Sequence, residues 1–169
     1  MLKEERDEMD AVVVLFRGAA SEGHAMAQGN LGMMLASGRG VVKNEVEAAK
    51  WFRKAAEQGY AFAQCNFGVV LATGQGVAKN EAKAAKWYRK AAEQGHAFAQ
   101  CNLGAALANG QGVAKNKVEA AKWFRKAAEQ GFADAQLNLG FALANGKGMD
   151  KNEAEAAKWC RKAAEQGFA

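Results

Sequence analysis

Ala84-Ala85-Lys86-Trp87-Tyr88-Arg89-Lys90-Ala91-Ala92-Glu93-Gln94-Gly95 decides the fold, because the chain writes this phrase four times with only the residue after tryptophan varied. Trp51, Trp87, Trp123 and Trp159 stand 36 residues apart, each inside A-A-K-W-x-R-K-A-A-E-Q-G. A fixed period of that length marks a tandem array, in which one supersecondary unit buries its apolar face against its copies. Aligned on the tryptophan, the full units are residues 25–60, 61–96, 97–132 and 133–169, stacked as a single domain. Residues 1–24 hold the second half of a unit as a capping element, with Leu15 in the tryptophan place and Phe16 in that of Phe52.

Each unit reads as two antiparallel helices. In the second, Ala84, Ala85, Tyr88, Ala91 and Ala92 fall on one stripe of a 3.6-residue period, with Lys83, Lys86, Arg89, Lys90 and Glu93 opposite. It starts after Asn44, Asn80, Asn116 or Asn152, good N-caps. Glu47, Glu119 and Glu155 lie three residues on, which predicts a reciprocal capping box. It stops at Gly59, Gly95, Gly131 or Gly167. The first helix is expected over about 61–72 and ends at Gly74, before a G-x-G-V loop turns the chain back. Proline is absent, so glycine makes every turn.

The pattern A-x-A-Q-x-N-L-G…G-x-G-V-x-K-N-x-x-x-A-A-K-W-[FY]-R-K-A-A-E-Q-G resembles the Sel-one-like repeat family, relatives of the tetratricopeptide repeats. The resemblance covers nearly all of the chain. It implies an all-α fold, an α-solenoid forming a right-handed superhelix, with first helices lining the concave side and second helices the convex side. It also implies non-enzymatic adaptor or scaffold work on a protein or peptide partner. One cysteine-rich, secreted branch of that family pairs a first-helix cysteine with one in the second helix. Here Cys65 and Cys101 match the first position, but Ala56, Ala92, Ala128 and Ala164 fill the second, so those bridges are not expected. A β-lactam-recognising hydrolase rests on that family association alone.

Within the first helix, Ala63, Gln64, Phe67, Gly68 and Leu71 hardly change between units, whereas positions 62, 65, 69 and 73 carry most of the substitutions. Positions 62, 66, 69 and 73 share one face and are taken as the exposed concave wall. Two partner-binding features lie there. Asn30, Asn66, Asn102 and Asn138 form a ladder of amides, which can grip the backbone of an extended peptide or bond neighbouring loops and helices. Met26, Phe62 and Phe98 form one apolar row, and Met33, Val69, Ala105 and Phe141 another; these are either an exposed contact patch or filling between repeats. Asp134 breaks the first row.

The basic stripe Lys86, Arg89, Lys90 and its copies, with a net charge of +5, raises polyanion or nucleic-acid binding on the convex face as an alternative. Glu57, Glu93, Glu129 and Glu165 lie one turn further on and no aromatics interleave, so a solvated face is expected instead. The Gly74-Gln75-Gly76 type of loop closes a helix rather than following a strand, which argues against a phosphate loop. Ser21, Ser37, Thr73, His24 and His96 assemble no catalytic triad or metal quartet, so neither an enzyme, nor a cofactor, nor a metal is expected.

The longest apolar run, Ala11 to Phe16, is far short of the roughly 20 residues a membrane helix needs. The acidic Glu4, Glu5, Asp7, Glu8 and Asp10 are the wrong flank for a secretory signal. A cytoplasmic protein with reduced thiols at Cys65, Cys101 and Cys160 is the expectation. In the opening half-unit Ala11, Val14 and Gly18 replace Glu47, Lys50 and Lys54, an apolar face to be covered by residues 1–8 folding back, by a further helix or by a second copy. Cys160 replaces an aromatic at the other end, so self-association through uncapped ends is expected.

Overall fold

The computed structural model describes residues 3–167, with side chains from residue 11 onward. Nine helices and no strand make up the described residues. The chain divides into two compact units, Met1–Asn80 and Glu81–Ala169. The first holds α1 (Lys3–Ser21), α2 (Ala25–Ser37), α3 (Glu45–Glu57) and α4 (Ala61–Thr73), each packed on the next. The second holds α5 (Glu81–Glu93), α6 (Ala97–Asn109), α7 (Lys117–Glu129), α8 (Ala133–Asn145) and α9 (Glu153–Ala164), again in sequential contact.

The helix boundaries follow the expected punctuation. Asn44, Asn116 and Asn152 are extended N-caps whose side-chain oxygens accept the backbone N–H of Glu47, Glu119 and Glu155, each at 3.0 Å. The box is not reciprocal, however. The Asn44, Asn116 and Asn152 backbone N–H groups donate to the Leu35, Leu107 and Leu143 carbonyls. That tie closes the loop back onto the preceding helix and frees the glutamates, which accept the indole N–H of Trp51, Trp123 and Trp159 at 3.3 Å.

The G-x-G loops divide their labour. The first glycine is a left-handed C-cap, as at Gly110 (φ +78°). The second, such as Gly112 (φ +67°), crosses the first turn of the previous unit's second helix so closely that a Cβ would collide with the Glu81 backbone. Glycine is required there for both reasons.

Packing explains the invariant small residues. Leu31, Leu35 and Phe52 centre the first unit's core, and Leu103, Leu107, Phe124 and Leu139 the second's. A Cβ on Gly32 would lie 2.8 Å from the Phe52 ring, and one on Gly104 2.7 Å from Phe124. The first-helix glycine is thus the seat of the second-helix aromatic. In the last repeat Cys160 stands in the aromatic's place, and its Sγ occupies that seat above Gly140.

Residues 3–8 continue α1 as helix rather than folding back over it, and their side chains lie outside the described residues. Val12, Val14 and Leu15 are accordingly exposed. On α9, Ala157, Cys160 and Ala164 are exposed, whereas their counterparts Ala121, Phe124 and Ala128 on α7 are buried.

Candidate functional site

The strip opposite the buried side of each first helix is accessible. Of the ten residues anticipated for partner binding, Met26, Met33, Phe98, Asn138 and Phe141 are exposed, and Asn30, Phe62, Asn66, Val69 and Asn102 are half-buried. The geometry behind this is local. Ala63, Gln64, Phe67, Gly68 and Leu71 turn into the packed side of α4, which leaves 62, 66, 69 and 73 on the other.

The four asparagines are not equivalent. Asn66 donates to the Phe62 carbonyl one turn back at 2.8 Å, and Asn138 of α8 reaches Cys101 Sγ of α6 at 3.7 Å. Ser37, Thr73 and Asn145, at the end of the same strip, also bond carbonyls one turn back on their own helices. The apolar rows are mixed as well. Phe62 packs against Tyr60, centroids 5.8 Å apart, and fills the space beside Gly29. Phe98 leans on Phe132 at the cap of α8, centroids 5.7 Å apart, and still keeps 40% of its surface in solvent. Met26 and Phe141 are more open, at 63% and 57%. Asp134, which interrupts the first row, is exposed.

The basic stripe is largely engaged within the chain. Lys54, Lys90, Lys126 and Lys162 lie over the rings of Trp51, Trp87, Trp123 and Trp159 at 4.3–4.6 Å. Arg89 pairs with Glu119 at 2.7 Å and Arg125 with Glu155 at 2.8 Å, while Arg53 bonds Glu57 on its own helix. The arginine hydrogen bonds, helped by the indole N–H, hold both glutamates below the usual carboxylate range. Lys50, Lys86, Lys122 and Lys158 remain exposed.

Cys65 and Cys101 are buried free thiols and Cys160 is an exposed one. Burial pushes the Cys101 thiol up to about 11, which removes its nucleophilic form near neutrality. Among the described residues no cluster of histidine, cysteine and carboxylates has metal-holding geometry, and no helix is long and apolar enough to cross a membrane.

One device escaped the sequence reading. Gln28, Gln64, Gln100 and Gln136 are buried, and each donates to the carbonyl eight residues earlier, at Ala20, Ala56, Ala92 and Ala128. Gln58, Gln130 and Gln166 in turn donate to the side-chain oxygens of Gln28, Gln100 and Gln136, at 2.7–2.9 Å. This relay ties the end of one second helix to the first helix of its unit and to the second helix before it. The repeated Q in A-x-A-Q and in E-Q-G was the available signal.

Four segments, residues 25–60, 61–96, 97–132 and 133–168, match the Sel1 repeat family. No curated protein matches the chain. Among solved structures, a Sel1 repeat protein from Oxalobacter formigenes is 37% identical with a TM-score of 0.87, over 94% of this chain and 63% of that one. A protective antigen of uropathogenic Escherichia coli displaying an SLR fold is 41% identical with a TM-score of 0.86, over 92% of this chain and 33% of that one. Helicobacter pylori cysteine rich protein B is 30% identical with a TM-score of 0.58, over 74% of this chain and 90% of that one. The chain therefore spans less than two thirds of the first two proteins. Sel1 repeat proteins are generally protein–protein interaction modules. With four matched repeats in an all-helical fold, the chain belongs to the Sel1 repeat family.

Proposed function

We propose that this chain is a non-enzymatic adaptor that binds a peptide or protein segment along the solvent-facing strip of its first helices. The observation that carries this reading is the company the strip keeps. Large apolar side chains at Met26, Met33, Phe98 and Phe141 are held in solvent beside amides at Asn30, Asn66, Asn102 and Asn138. Exposed methionine and aromatic surface supplies adaptable contact area, and neighbouring amides satisfy a peptide backbone.

The test uses the chain as bait in three forms: unaltered, a strip variant (Asn66→Ala, Phe98→Asp, Asn102→Ala) and a stripe variant (Lys86→Glu, Lys122→Glu). A partner kept by the unaltered and stripe baits and lost by the strip bait, at unchanged helicity, supports the reading. Loss on the stripe bait alone, with steep salt dependence, hands the role to polyanion binding.

Self-association is a second reading, favoured by the apolar surface exposed at α1 and α9. Leu15 is 72% exposed in the tryptophan place, and Cys160 is open where Phe124 is buried. Light scattering at high concentration checks it, and a strict monomer ends it.

A further inference from the structure

Two cavities built from the same six positions, 72 residues apart, differ in size and in charge. The first, about 50 Å³, is lined by Ala36, Lys43, Glu45, Ala48, Val70 and Gln75. The second, about 270 Å³, has Ala108, Lys115, Lys117, Ala120, Ala142 and Lys147 at those places and extends to Asn138 and Phe141. Valine to alanine at 142 removes two methyl groups from the wall, which helps to open the space. Glutamate to lysine at 117 and glutamine to lysine at 147 turn a neutralised site into one with three cations.

The contrast is visible in the ion pairs. Lys43 Nζ lies 2.7 Å from Glu45 Oε1, and Lys151 Nζ lies 2.6 Å from Glu153 Oε1. At the equivalent place Lys115 is paired in sequence with Lys117 instead of a glutamate, both line the cavity, and neither has an acidic partner among the described residues. No acidic side chain lines the larger cavity. Lys147 Nζ sits 4.3 Å from the centre of the Phe141 ring, so cation and apolar wall share one mouth. Three uncompensated ammonium groups around a concave site repel one another and favour an anion between them.

We infer that this cavity binds a carboxylate side chain of an acidic peptide, with an adjoining apolar side chain against Phe141. Peptide rather than a free ion is favoured because Asn138 and Phe141 belong both to the cavity and to the exposed strip. The inference rests on the strip being the binding surface, and it names the chemistry recognised at one point along it. The lysines supply charge without a fixed bidentate geometry, so charge rather than exact sequence is selected.

The probe is a tetrapeptide alternating glutamate and leucine, blocked at both ends, titrated into the full chain by NMR. Its glutamine–leucine counterpart and inorganic phosphate serve as comparisons. Saturable shifts at Lys117, Phe141 and Lys147 are expected, weakened roughly tenfold or more by glutamine in the peptide and by Lys117→Glu. Lys117→Glu, Lys147→Gln and Ala142→Val all install residues the chain already carries at the equivalent position, so the fold is retained. Absence of binding, equal binding by the glutamine peptide, equal binding by Lys117→Glu, or reproduction of all the shifts by phosphate alone each overturns the proposal. A captured partner that Lys117→Glu retains and the strip variant releases overturns the cavity assignment while leaving the broader reading standing.

Discussion

Arg89 Nη1 donates to Glu119 Oε1 at 2.7 Å, joining the second helices of successive repeats. Arg125 repeats the bond to Glu155, thirty residues on, at 2.8 Å. With side chains about a third exposed, such a pair contributes about 0.5–1 kcal/mol and is screened by salt. Glu119→Gln is expected to lower stability by that amount in dilute buffer and by less in 1 M salt. Both glutamates titrate below their ordinary 4.5. Their contribution is therefore present above that pH and lost as acid protonates them, which urea unfolding across pH reads directly.

The glycine seats rank by what they hold. Gly104→Ala drives a methyl into the buried Phe124 ring and should cost about 1–2 kcal/mol net, the overpacking being partly offset by alanine's better helix propensity. Gly140→Ala meets Cys160 Sγ, on an exposed side chain that can swing aside, and the Ala156 carbonyl oxygen at 3.2 Å, and should cost less than Gly104→Ala. Gly112→Ala combines a positive φ with a backbone collision and should be the worst of the three, about 2–4 kcal/mol. Thermal melts of the three variants check the order.

His96 caps α6 through Nδ1, which accepts the Ala99 N–H at 3.3 Å, and burial lowers its pKa below the usual 6.5. Protonation removes the accepting lone pair. The unfolded chain takes up that proton first, so stability is full above pH 6.5 and declines as pH falls below it. His96→Asn keeps a capping oxygen that does not titrate. Melting temperatures between about pH 5 and 8 should show a flatter profile for that variant. A profile identical to the parent's excludes His96 as the source.

Thiol labelling should separate the cysteines. Cys160 reacts in the native chain, while Cys65 and Cys101 are protected until it unfolds. Maleimide labelling followed by mass spectrometry, with and without denaturant, gives the count at each stage. Native labelling of Cys101 at a rate comparable to Cys160 contradicts the buried, proton-retaining thiol described here.

Much of this fold is local and therefore legible. The 36-residue tryptophan spacing set the repeats, and the Asn44 and Gly59 type of punctuation set the helix ends, because caps act within a few residues. Which face of α4 opens to solvent followed from where the units differ, at 62, 69 and 73, taken with helical spacing, although Cys65, which also varies, is buried. Connections between repeats were not legible. Glu47 fits a capping box by spacing, yet the indole of Trp51 competes for its carboxylate, and the Asn44 N–H finds Leu35 across the loop. The Arg89–Glu119 bond and the Gln130–Gln100 bond join side chains 30 residues apart, and no helical period encodes that distance. At the candidate site, composition pointed to the strip, but the inverted charge around Lys117 emerged only once Ala142 and Lys147 were seen to share its cavity.

The glutamine relay bears on how such a chain can change over generations. Both the donor and the acceptor of each link recur at the same offset in every 36-residue block. An in-frame duplication or excision of one block in the gene would deliver a product whose new junctions are already wired. Array length then becomes a heritable quantity that recombination can adjust in a single event, without a round of compensating substitutions.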